Sequence, residues 1–138
     1  MYQPLSRGCT NLSQYMQQSV SHDRVFVYYL FAVMEVYQLD PLAMGEWASW
    51  CGLPELPTIR LKFTPAETVK YSSCRLQRLL SLHQQDMTLA LVDYYGGTTA
   101  LTSWINDSIV RKDIVDYMYE VHSVHRVCGK VTEGTHSD

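Results

Sequence analysis

The chain has 138 residues, 46% of them hydrophobic, and a formal net charge of -3. That length suits one domain built on a single core, and the net acidity excludes a strongly basic nucleic-acid glove or a polybasic membrane binder. The most apolar run, residues 25–34, is about half the length of a membrane span and contains Tyr28 and Tyr29, so it reads as a buried helix.

Residues 11–38 contain neither proline nor glycine and carry apolar residues at Leu12, Tyr15, Met16 and Val20, then densely from Val25 onward. One helix, or two meeting near Ser21-His22-Asp23, fits this spacing. The β-branched and aromatic cluster Val25-Phe26-Val27-Tyr28-Tyr29 also suits a strand. Asp40-Pro41 is a helix start, with a carboxylate to accept from free amides and a proline whose missing amide would be unpaired anyway. That helix runs to about Trp50, stops at Cys51-Gly52, and gives way to the proline-bearing loop Leu53-Pro54-Glu55-Leu56-Pro57.

Thr64-Pro65-Ala66-Glu67 is a second start, with a hydroxyl at the cap, proline in the first helical position and a carboxylate for a capping box. The predicted helix covers residues 65–84 and buries Val69, Leu76, Leu79, Leu80 and Leu82. Asp86 caps a helix over residues 87–95 that ends at Gly96-Gly97. Thr98 or Thr99 then caps a short helix through Trp104 and Ile105, and Asn106-Asp107-Ser108 is turn chemistry. A last helix covers residues 109–127 and closes at Gly129, leaving a polar, frayed tail at 130–138. The expectation is an all-α protein, a small helical bundle. Its divisions are a helical portion at 1–52, a linker at 53–63, a helical unit at 64–129 and the tail.

Cys9, Cys51, Cys74 and Cys128 show no CxxC spacing, which speaks against a zinc ribbon or redox dithiol. Free thiols in a cytosolic protein are the expected state. The start Met1-Tyr2-Gln3-Pro4 lacks a basic region followed by an apolar stretch, so no secretory signal is expected and the predicted location is cytoplasmic. Positive charge gathers in the middle: Arg60, Lys62, Lys70, Arg75 and Arg78 stand against Glu67 alone in residues 60–85. Lys70, Arg75 and Arg78 point to water or phosphate from their helix.

The segment after Gly97 has the spacing of a helix-turn-helix, in which a short helix crosses a second whose exposed start enters the DNA major groove. Leu101 and Trp104 face inward from the first helix, and Ile109, Ile114 and Met118 from the turn and second helix. Arg111, Lys112, Asp113, Val115 and Asp116 then lie outward, with Arg111 and Lys112 the candidates for base or phosphate contact. Asp113 and Asp116 would repel phosphate, and Trp104 occupies a position that usually holds a small residue.

Leu91-Val92-Asp93-Tyr94-Tyr95-Gly96-Gly97-Thr98, with the short helix, turn and final helix that follow, resembles the C-terminal half of the small class of lambdoid phage late-gene antiterminator Q proteins. Gly45-Glu46-Trp47-Ala48-Ser49-Trp50 is similar to the tryptophan-pair helix of that family. The resemblance implies a sigma-region-4-like helix-turn-helix and a transcription regulator that binds DNA beside a late promoter. It also implies loading onto RNA polymerase so that terminators are ignored, with Arg111 and Lys112 at the recognition positions. The alternative is a non-enzymatic phage or bacterial adaptor or inhibitor that binds a host protein complex without touching DNA.

Other chemistry is thinly represented. His122, His125 and Cys128 recur every three residues on the last helix and are the metal candidates, but a fourth ligand is not identified and histidines near a helix end are commonly surface groups. No metal or cofactor is expected. No GxSxG, HExxH, Walker or GxGxxG pattern occurs, so no catalytic residue and no enzyme activity are expected. The ten tyrosines and three tryptophans suit either a stacking platform for single strands or, at helical spacing, core and protein-interface positions.

Overall fold

The computed structural model describes residues 17, 19–21, 23–37, 51 and 65–136, with the backbone alone for 129–136. Every regular element among them is a helix: α1 (Arg24–Val36), α2 (Pro65–Leu82), α3 (Met87–Asn106) and α4 (Lys112–His136). The expected helix after Asp40-Pro41, the tryptophan-pair segment, the linker at 53–63 and the Thr64 cap lie outside the described residues, as do Arg60 and Lys62.

Asp23 starts α1 by accepting the amide of Phe26 on its carboxylate at 3.1 Å. Phe26, Val27, Leu30, Phe31, Ala32 and Val33 are buried, while Val25 is 59% exposed. A strand would have sent Phe26 and Val27 to opposite faces; the helix brings them together with Leu30 and Phe31 on one side, which decides between the two readings. Just upstream, the amide of Val20 donates to Ser73 Oγ at 3.1 Å and ties the entry to α1 onto α2.

Helix α2 buries Val69, Tyr71, Leu76, Leu79 and Leu80, but Leu82 is 66% exposed, contrary to the expected stripe. The helix also ends two residues before the predicted limit. Gln85 N donates to Leu80 O at 2.7 Å and Gln84 N to Ser81 O at 3.3 Å, the paired bonds of a Schellman ending, with Gln84 at φ 56° and Gln85 at φ 69°. A hydrogen bond of 2.8 Å between His83 and Asp93 spans this turn.

Asp86 caps α3 by accepting from Leu89 N. The helix breaks at Gly97, with φ 64° and ψ -151°, a conformation open essentially to glycine alone. Gly96 beside it has a different reason to be glycine, since a Cβ there would meet Ala100 Cβ at 2.7 Å. The second half of α3 ends with Asp107 N bonded to Ser103 O, and Ser103 Oγ accepts the amide of Arg111 across the connection.

Helix α4 begins three residues later than expected and carries a buried stripe of Ile114, Tyr117, Met118, Val121, Val124 and Cys128. Its backbone remains helical through Gly129 to His136, where a closing glycine and a frayed tail were expected. An internal glycine costs only about 1 kcal/mol relative to alanine, and no proline follows it to force a stop. Helices α1, α2, α3 and α4 all contribute to one hydrophobic cluster, so the helix from the N-terminal portion shares its core with the later unit.

The expectation of free thiols is overturned. Cys51 and Cys74 form a disulfide with Cα atoms 5.9 Å apart, and Cys128 is disulfide-bonded as well. Spacing searched for metal or redox motifs is blind to bridges between cysteines distant in sequence, because those are set by how helices pack.

Candidate interaction surface at the α3–α4 corner

The outward residues predicted around the second helix are where the pattern put them: Arg111, Lys112, Asp113, Val115 and Asp116 are all exposed. The two cations do not stand alone. Arg111 donates to both carboxylate oxygens of Asp113, at 3.0 and 2.7 Å, and Lys112 Nζ lies 2.6 Å from Asp116. Tyr95 adds its hydroxyl to Asp113 at 2.9 Å. Hydrogen bonds from Arg111 and then Tyr95 hold the Asp113 carboxyl far below the usual carboxylate range, and the same Asp113 bond raises the Tyr95 hydroxyl.

The α2 cations separate. Lys70 and Arg78 are exposed, but Arg75 is buried, and this corrects the expectation that it points to water or phosphate. Its Nη2 donates to the carbonyl of Tyr94 at 3.1 Å and its guanidinium lies 5.0 Å from the Tyr94 ring centroid. Carbonyls in the last turn of a helix lack helical partners, and Tyr94 sits in the last turn before the Gly97 break, so a long cation reaching across from α2 supplies a donor there. Around it, Tyr37, Tyr94, Tyr95 and Tyr117 pack ring against ring, with Tyr95 and Tyr117 stacked at 4.4 Å. Tyr117 donates to Leu91 O at 2.8 Å, and burial pushes the Tyr94 hydroxyl up to about 12. Tyr94 and Tyr117 are core and Tyr37 and Tyr95 lie partly buried against it.

The last-helix histidines are also structural. His125 stacks on Tyr29 with centroids 3.9 Å apart, and His122 meets the same ring edge-on at 5.8 Å. Burial, and then His122, hold the His125 imidazole below the usual histidine value. Cys128, the third metal candidate, is consumed by its disulfide, and no group of three metal-ligating side chains comes together among the described residues.

Among its exposed charged and polar groups the corner also carries large apolar side chains. Ile105 is 62% exposed, Ile109 86% and Val115 46%; Tyr119, 71% exposed, lies further along α4, by Glu35 and Val36 of α1. Ile109 was expected inward; Val110 takes that place and packs against the core instead. Leu101 and Trp104 lie partly buried against the core, as predicted. Val115 and Tyr119 are four apart on α4 and so share one face. Sequence reasoning missed this surface because Ile105, Ile109 and Val115 look like core residues until the turn's geometry is known; the frame slip at Ile109 was the available signal.

Comparison with protein-family models, with curated proteins and with solved structures gives no match. No helix among the described residues is long and apolar enough to cross a membrane.

Proposed function

We propose that the protein is a non-enzymatic interaction protein that binds a protein partner through the apolar corner between α3 and α4. The observation that carries this reading is the exposure of Ile109, 86%, in the connection between the last turn of α3, which exposes Ile105, and the first turn of α4, which exposes Val115, with that connection tied by the Arg111 to Ser103 bond. Water-facing aliphatic groups gathered at one corner favour burial by association. The surrounding Arg111–Asp113 and Lys112–Asp116 pairs form a polar rim of mixed sign.

A second reading is DNA contact by the start of α4, as in the antiterminator resemblance, with RNA polymerase as partner. It is favoured by the break at Gly97, which yields a short helix, a connection and a long helix in the expected order. Against it stand the carboxylates that already occupy Arg111 and Lys112, and the burial of Arg75.

Both readings are tested on one panel. The wild type, an Ile105→Asp/Ile109→Asp variant and an Arg111→Glu/Lys112→Glu variant are immobilised, and retention of protein from the producing cell is compared after nuclease treatment. The apolar-corner reading predicts a partner lost with the isoleucine variant and kept by the charge variant. The reverse pattern, together with duplex-DNA binding that weakens steeply with salt, would replace it with the DNA reading.

A further inference from the structure

All three cysteines among the described residues are in disulfides. Cys51 reaches across 23 residues of sequence to Cys74 on α2, and Cys128, on α4, belongs to a second bridge. The Cys128 side chain is fully buried, whereas Cys51 and Cys74 are partly exposed. Very small domains rely on such bridges because their cores are too small, but a chain of 138 residues does not. The core here is continuous across all four helices. Bridges on a chain that has a core of its own are explained by the surroundings: cytosolic glutathione and thioredoxin keep thiols reduced, while oxidising compartments close them.

We infer that the protein works in an oxidising compartment, as a doubly cross-linked helical bundle. The inference does not depend on which protein partner the α3–α4 corner binds, but it is incompatible with the reading of that corner as a contact for DNA and RNA polymerase in a reducing cytosol. Closure needs an oxidant of the disulfide class. The thiolate of one cysteine attacks the oxidant's disulfide and expels one thiolate. Its mate then attacks the protein sulfur of the mixed disulfide and expels the second. Two protein thiols become one disulfide, and the oxidant leaves as two thiols carrying the two electrons and two protons. The bridges anchor different helices, α2 and α4, so each restricts the unfolded chain separately.

The test is thiol trapping in the cells that make the protein, by acid quench and N-ethylmaleimide under denaturing conditions, followed by peptide mass mapping. The expected result is no adduct on Cys51, Cys74 or Cys128 and a recovered peptide pair linked through Cys51 and Cys74. Adducts on all three cysteines would overturn the inference. A second measurement compares melting of the oxidised full chain with that of a Cys51→Ser/Cys74→Ser variant. A fall of roughly 10 °C is expected from the loss of a loop closure of this length, and an unchanged melting temperature would count against a cross-linked working state. Graded reduction of the wild type should free Cys51 and Cys74 before Cys128, whose sulfur is shielded; the opposite order would contradict the packing that the inference rests on.

Discussion

Arg75 and Gly97 depend on each other. The glycine breaks α3, the break leaves carbonyls without helical partners, and the arginine, reaching from α2, donates to that of Tyr94. Replacing Arg75 with alanine removes the donor and leaves space against buried tyrosines. The expected loss is about 3 kcal/mol, read from the midpoint of urea unfolding. Gly97→Ala places a Cβ on a backbone at φ 64°, ψ -151° and should cost about 1–3 kcal/mol by the same assay. His125 gives a pH signature. Burial holds its folded-state pKa below that of the unfolded chain, so the unfolded state takes up the proton first as pH falls through about 6.5. Stability contributed at this site is therefore flat at higher pH and declines on the acid side. Melting temperatures recorded from about pH 7 down to about pH 5 should fall less for His125→Phe, which keeps the stack on Tyr29 and cannot be protonated.

At the scale of elements, helix ends account for most of what the sequence disclosed and what it hid. Pro65 and Asp86 mark starts with local chemistry, and α2 and α3 begin where they indicate; Asp23, read only as part of a junction between two helices, turns out to cap α1. The end of α2 is different because its left-handed positions are Gln84 and Gln85 rather than glycine, and nothing in the composition flags a glutamine as a stop. That mismatch is itself testable. Gln84→Gly should stabilise the protein by up to about 1 kcal/mol, seen as a rise in melting temperature, because glycine adopts the left-handed conformation without a Cβ penalty. Gly129 misled in the opposite sense, since a glycine permits a helix end without requiring one. On α4, Ile114 and Met118 were legible as core from four-residue spacing, while Tyr117, Val121 and Val124 complete the stripe. Ile109 was misassigned because the connection runs through residue 111, so a helical frame started at 109 turns the wrong side chain inward.

Across the whole molecule, an all-α bundle was readable from periodicity, but long-range pairings were not. The salt links Arg111–Asp113 and Lys112–Asp116 are near in sequence, yet their effect on a DNA-reading face emerges only once both carboxylates are seen on their cations. The burial of Arg75 and the Cys51–Cys74 bridge join segments 19 and 23 residues apart, distances at which no local pattern operates. The paired cations at the start of α4 and the buried Arg75 weaken a basic, DNA-directed reading, while Ile105, Ile109 and Val115 are exposed between α3 and α4. The most direct test is amide hydrogen exchange on the complex formed with the captured partner. Protection gained over residues 101–119, with little change along α1, is the predicted result. Protection confined to α1, or new protection at the start of α4 that requires duplex DNA, would contradict it.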